Sequence, residues 1–232
     1  MYFYGIDVYY IVLVVPALVF AMWAQMRVSS AFNRYSQLRT GGGLTGADAA
    51  RLILDRNGLT DVAVELTEGR LSDHYDPRAG VIRLSREVYY NATVAAVGVA
   101  AHECGHAVQH AEGYFPLKVR SAIIPVTQIG SNLAFPLFLL GMLFSYPPLM
   151  DAGILLFALV AVFQLVTLPV EYNASSRAVA TLSGSGMVSA EEERGVRKVL
   201  SAAALTYVAA LATALANLLR LILIAGRRNN RN

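Results

Sequence analysis

The sequence holds one cysteine, Cys104, in 232 residues, and only 15% of its residues are charged. A lone thiol closes no intramolecular disulfide, so neither a disulfide framework nor a cysteine-built zinc site is supported. The charge content lies well below the roughly 25% of a soluble globular chain. A net charge of +3 invites a nucleic-acid partner. However, the basic residues are scattered and lack interleaved aromatics, which argues against one. No internal repeat and no low-complexity tract is visible.

What fills the chain instead is apolar sequence, 56% of all residues. That share exceeds the roughly 45 to 50% of soluble chains and points towards lipid. A helix needs about 20 apolar residues to cross a bilayer, and four segments qualify: 6–26, 123–146, 151–170 and 202–226. The first carries Trp23 and several tyrosines where interfacial aromatics sit. It has no basic n-region and no clean small-residue cleavage pattern, so a cleaved secretory signal is not expected. The second and third are joined by "SYPPLMD", whose proline pair predicts a tight hairpin. Pro125 and Pro136 predict kinks in the second span. Arg220, near the end of the fourth, is expected to snorkel to the interface.

Two polar regions lie between the spans, 27–122 and 171–201. In the first, "ADAARLILDRNGL" predicts an amphipathic helix stopped near Asn57 and Gly58. "DVAVEL" predicts a strand by its alternation, and "DHYDPRAGVIRLS" predicts a turn at Pro77 to Gly80 followed by a second strand. That second strand is a candidate for pairing with an extended substrate by β-augmentation. In the other polar region, Ser189 and Glu192 have capping-box spacing at the start of a basic helix. Lys and Arg number eleven in 27–122, four in 171–201, and four at or after Arg220. With four spans, the two polar regions share one side, and the positive-inside rule places that side in the cytoplasm. The terminal "RRNNRN" opposes this assignment.

The chemistry concentrates in "VAAHECGHAVQH", 99–110, an apolar, alanine-rich run free of proline until 116. Buried ionisable groups cost several kcal/mol unless paired or metal-bound. "HECGH" has the form H-E-x-x-H. Positions i and i+4 lie on one helical face about 6 Å apart along the axis, so His102 and His106 can share one ion at about 2.1 Å from each nitrogen. Glu103, one position on, is placed to act as general base toward a metal-bound water. A catalytic zinc needs a third protein ligand. His110 lies about 12 Å along the axis from His102, too far to share its ion, and a metzincin histidine would fall at Glu112. His74, in the predicted turn, is possible. Glu171 is the better candidate, because it ends an apolar span where a lone carboxylate is expensive. Cys104 points off the 102/106 face and reads as a small core residue. Tyr172 and Arg177, just past Glu171, read first as interfacial or structural, with oxyanion stabilisation as the competing role.

"AAHECGHAVQH" followed roughly 65 residues later by "LPVEYNASSRA" resembles the YugP-type family of membrane zinc metallopeptidases, and more distantly the HtpX-like membrane proteases. The likeness runs over nearly the whole chain. It implies a mainly α, multi-pass membrane protein of about four transmembrane helices with a small α+β zincin-like metallopeptidase domain. It further implies one zinc per chain on His102, His106 and Glu171, Glu103 as base, a protein or peptide substrate, and a bacterial cell membrane. The HtpX-like pattern has an acidic residue where this chain has Ser175, and YugP-type chains often have Asp where it has Asn173. These positions therefore leave open which acceptor orients each histidine. Two rivals remain at this stage. A site-2-type intramembrane protease also uses H-E-x-x-H, but the apolar run before His102 is too short for a span and no Asp-Gly motif follows in a later span. A metal-free membrane scaffold is the other.

Overall fold

The computed structural model describes residues 2–3 and 6–229; the last three residues of the arginine-rich tail lie outside them. A short pair of strands, β1 (Tyr2–Phe3) and β2 (Ile6–Asp7), precedes α1 (Val15–Tyr35), which a π-helical turn at Tyr10–Val14 introduces. There follow α2 (Gly46–Arg56), β3 (Ala63–Thr67), β4 (His74–Asp76), β5 (Val81–Ser85), α3 (Arg86–Tyr90) and α4 (Val94–Ala111). Three long helices complete the chain: α5 (Phe115–Leu143), α6 (Pro147–Gly184) and α7 (Ala190–Asn229). Four helical stretches, Tyr10–Tyr35, Phe115–Leu143, Pro147–Gly184 and Ala190–Arg227, are long and apolar enough to cross a membrane. The protein is a mainly α, multi-pass membrane protein with a small α+β part. The last two helices run past both ends of the apolar windows 151–170 and 202–226, whereas the first stretch begins after residue 6 and α5 stops at Leu143, short of 146. Hydropathy reports a lipid-length stretch and not the end of hydrogen bonding.

The described residues fall into two compact units. One comprises those of Met1–Ala24, Val119–Leu168 and Thr206–Asn232. Here Phe138, Met150 and Leu221 form a buried cluster. The hairpin at "SYPPLMD" forms as the proline pair requires: α5 stops at Leu143, Tyr146 N donates to Gly141 O at 2.9 Å, and Pro147 opens α6, where its missing N–H costs nothing. Pro125 and Pro136 both lie inside α5, which continues through them. Arg220 finds a partner within this unit. Its Nη2 and Nε donate to Asp7 Oδ2 at 2.7 and 3.0 Å, and its guanidinium lies over the Tyr10 ring at 5.0 Å. Removing one member leaves the other charge, mostly shielded from solvent, without its partner. Asp7→Asn is therefore expected to cost about 1 to 3 kcal/mol, read as a lower thermal midpoint in detergent. Asp7→Asn combined with Arg220→Met should recover part of that loss, and strict additivity in this cycle would rule the coupling out.

The other unit comprises Gln25–Lys118 and Pro169–Leu205. Its core is built around α4, whose alanines and valines pack against Ile53 and Leu54 of α2, Ile82 and Leu84 of β5, and Leu182, Val196 and Val199 of the two long helices. Helix α2 starts with a reciprocal capping box between Thr45 and Asp48. Ser189 and Glu192 do the same for α7, with Ser189 N donating to Glu192 Oε2 at 2.6 Å and Glu192 N to Ser189 Oγ at 3.3 Å. Helix α4 is capped by Thr93, whose Oγ1 accepts from Ala96 N at 3.3 Å. It ends at Gly113, whose φ of 65° lets Tyr114 N reach back to Gln109 O and Gly113 N to His110 O.

The sheet has the order β3-β5-β4, with β3 parallel and β4 antiparallel to β5. This corrects the expectation that the strand after Pro77 pairs with substrate. Both edges of β5 are already taken, because His74–Asp76 folds back on it as a hairpin strand that the short sequence between Ser72 and Pro77 does not announce. The edges of the sheet are β3 and β4, and Tyr75 on β4 turns its backbone N–H away from β5 towards α4.

Candidate metal centre

Helix α4 delivers His102, Glu103 and His106, and α6 delivers Glu171. The imidazole rings of His102 and His106 stand 4.7 Å apart at 83°, one helical turn separating them. Glu171 is buried, and its Oε2 lies 3.3 Å from His102 Nε2 and 3.5 Å from His106 Nε2. The three side chains thus offer two nitrogens and one oxygen within 4.8 Å of one another. Among the described residues this is the one group of three that could hold a metal ion.

Helices α4 and α6 approach closely because of Gly105. A Cβ at that position would sit 2.6 Å from the backbone oxygen of Ala174, three residues after Glu171. The glycine inside H-E-x-x-H therefore lets α6 come near enough to present its carboxylate to both histidines.

The outer nitrogens are held as well. His106 Nδ1 donates to Gln109 Oε1 at 3.0 Å, and His102 Nδ1 lies 3.2 Å from Ser175 Oγ. Gln109 is fully buried and donates from Nε2 to Val170 O at 2.8 Å and to Asn173 Oδ1 at 2.9 Å. Asn173 and Ser175, where the carboxylates of related patterns are absent, thus still take part through neutral oxygens.

Glu103 is buried, and its Oε2 accepts the backbone N–H of Tyr75 at 3.0 Å. Asp73 lies close behind, accepting from Ser85 N at 2.7 Å and Ser85 Oγ at 3.1 Å. Burial pushes the Asp73 carboxyl above its ordinary value and the charge of Glu103 adds to this, with the Ser85 bonds offsetting part of it. For His106, burial works against the charged form, but the carboxylates of Glu171 and Glu103 outweigh it and hold the imidazole above its ordinary value.

The remaining sequence candidates are not among the three side chains that could share an ion. His74 is exposed and donates Nδ1–H to Ser72 O at 2.8 Å. His110, also exposed, pairs with the Tyr75 hydroxyl at 2.9 Å. Tyr172 is exposed, and Arg177 is tied to Asn173 and Glu112. Cys104 is fully buried with its thiol turned to Ala50 O, and burial pushes its pKa far above the ordinary thiol range.

Residues 10–226 match the family described as "Putative neutral zinc metallopeptidase". The chain belongs to that family. A relative described as "Putative membrane protease YugP", from Bacillus subtilis (strain 168), is 51% identical over 215 residues, which is 93% of this chain and 96% of that protein. No solved structure matches.

The residues present suit the metal that this zinc metallopeptidase family implies. Zinc takes imidazole nitrogen and carboxylate oxygen, and its histidine ligands characteristically donate their other ring N–H to an oxygen. The group of His102, His106 and Glu171 meets the first condition and His106 meets the second through Gln109 Oε1, while His102 Nδ1 has the Ser175 hydroxyl beside it. Gln109 and Tyr75 are the site residues that motif spacing misses. A glutamine three positions after His106 in a buried, otherwise apolar helix is the signal that would have drawn attention to the first. The second contributes through its backbone, which no side-chain pattern reveals.

Proposed function

We propose that this chain is a membrane-bound zinc endopeptidase that hydrolyses peptide bonds in protein or peptide substrates. In this proposal one zinc per chain is held by His102, His106 and Glu171, and Glu103 is the general base. The observation that carries it is the convergence of three ligand atoms from two helices within 4.8 Å. When bound, zinc supplies Lewis-acid polarisation of the scissile carbonyl and a water acidified to a pKa of about 7. Glu103, oriented through Oε2 by Tyr75 N–H, takes the proton of the attacking water on its carboxylate and returns it to the nitrogen of the leaving amine. Burial of the carboxylate keeps competing water away from that transfer. We place the enzyme in a bacterial cell membrane. The fifteen basic residues of 27–122 and 171–201 support a cytoplasmic site.

The test is elemental analysis of detergent-purified wild type, His106→Ala and Glu171→Ala. Wild type is expected to hold about one zinc per chain, and both variants to lose it. A zinc-free wild type would overturn the proposal, whereas loss in His106→Ala alone would move the third ligand away from Glu171.

A further inference from the structure

Beyond the ligands themselves, a chain of side chains leads from the surface to the buried nitrogen of one histidine, and its polarity is forced at each link. Arg177 carries only donors. Its Nη2 donates to Glu112 Oε2 at 2.6 Å and its Nε to Asn173 at 2.8 Å, so the Asn173 atom that it meets is Oδ1. An oxygen there requires the facing amide atom of Gln109, 2.9 Å away, to be Nε2. The other hydrogen of that nitrogen goes to Val170 O, again an acceptor only, at 2.8 Å. Gln109 therefore presents Oε1 to His106 Nδ1 at 3.0 Å, and that nitrogen must carry the proton. In the neutral ring the lone pair is then left on Nε2, the atom that faces Glu171. His102 has no such constraint, because the Ser175 hydroxyl beside it both donates and accepts.

Gln109 has a second function in the same bonds. Val170 and Asn173 flank Glu171 on α6, so one fully buried amide on α4 holds the backbone carbonyl just before the third ligand and the Asn173 side chain just after it, while orienting the second.

We propose that Gln109 is a positioning residue for the metal centre. Polarised through Asn173 by Arg177, it locks His106 in the Nδ1–H tautomer and sets the register of Glu171 against α4. The inference rests on the zinc reading above and extends it to residues that touch neither metal nor substrate. Loss of such outer partners typically costs 10- to 100-fold in metal affinity.

The experiment uses the full chain in detergent, stripped of metal, with zinc affinity measured by competition against a chromogenic chelator. Gln109→Met, close in volume but without polar atoms, is expected to bind zinc about 10- to 100-fold more weakly. Asn173→Asp keeps an acceptor for both donors and should stay close to wild type, whereas Asn173→Leu should fall with Gln109→Met. Imidazole ¹⁵N shifts of the metal-free protein, read at a pH where the His106 ring is neutral, give a readout that mere loosening of the core would not produce. His106 should be the Nδ1–H tautomer in wild type and a mixture in Gln109→Met. Wild-type zinc affinity and an unchanged tautomer in a folded Gln109→Met protein would overturn this inference alone, as would equal affinities for Asn173→Asp and Asn173→Leu. A wild type that binds no zinc would overturn it together with the metal reading.

Discussion

Glu103→Gln should leave zinc bound and lower peptidase activity by about 10²- to 10⁴-fold, the range a positioned general base contributes. The substitution keeps size and a carbonyl-type oxygen that can still accept Tyr75 N–H, the bond that fixes the native carboxylate at 3.0 Å. What it removes is the ability to take a proton. Cleavage of a fluorescently labelled unfolded protein, with zinc content measured on the same samples, checks this. The pairing of the two readouts matters, since a variant that loses both has lost its site and says nothing about the base. A zinc-loaded Glu103→Gln protein working at the wild-type rate would remove Glu103 from the chemistry.

The second large effect is expected from Gly105→Ala. In an isolated helix this change stabilises by about 1 kcal/mol, because alanine is the better helix former. Here the new methyl would meet Ala174 O at 2.6 Å, and a backbone oxygen has no rotamer by which to step aside. Helix α6 must move, carrying Glu171 with it. Crowding of this kind costs about 1 to 3 kcal/mol, enough to reverse the gain in propensity, and zinc affinity should fall at least about tenfold for each 1.4 kcal/mol of strain placed on the bound state. Gly98→Ala is the internal control. Its methyl would lie 3.2 Å from a side-chain carbon of Val196, which can give slightly, so the thermal midpoint and zinc affinity should change little. Equal behaviour of the two variants would show that the close approach at Ala174 does not set the site.

The contrast between these glycines shows where sequence reading stops. Both lie in one apolar helix with similar neighbours in sequence, and nothing local separates them. Only the identity of the opposing atom does, backbone oxygen in one case and a valine methyl in the other. Arg220 teaches the same lesson. Its place in an apolar run predicts a search for a polar environment, but its partner, Asp7, lies 213 residues away in the chain. The hairpin strand β4 is another case, since three residues carry too little alternation to announce a strand until β5 is there to pair with them.

By itself the sequence determined the features whose physics is local or periodic. A bilayer's thickness turns apolar run length into spans, the 3.6-residue turn sets His102 beside His106, and the cost of a carboxylate at the end of an apolar helix singles out Glu171. Tertiary structure decided which faces meet, and with that the closeness of α6 at Gly105, the central position of β5, the backbone donor to Glu103, and the buried amide of Gln109 as partner of His106. These depend on contacts between segments distant in the chain, 64 residues apart for Gln109 and Asn173. Hydrogen-bond partners are chosen by geometry after packing, and one-dimensional spacing does not contain that geometry.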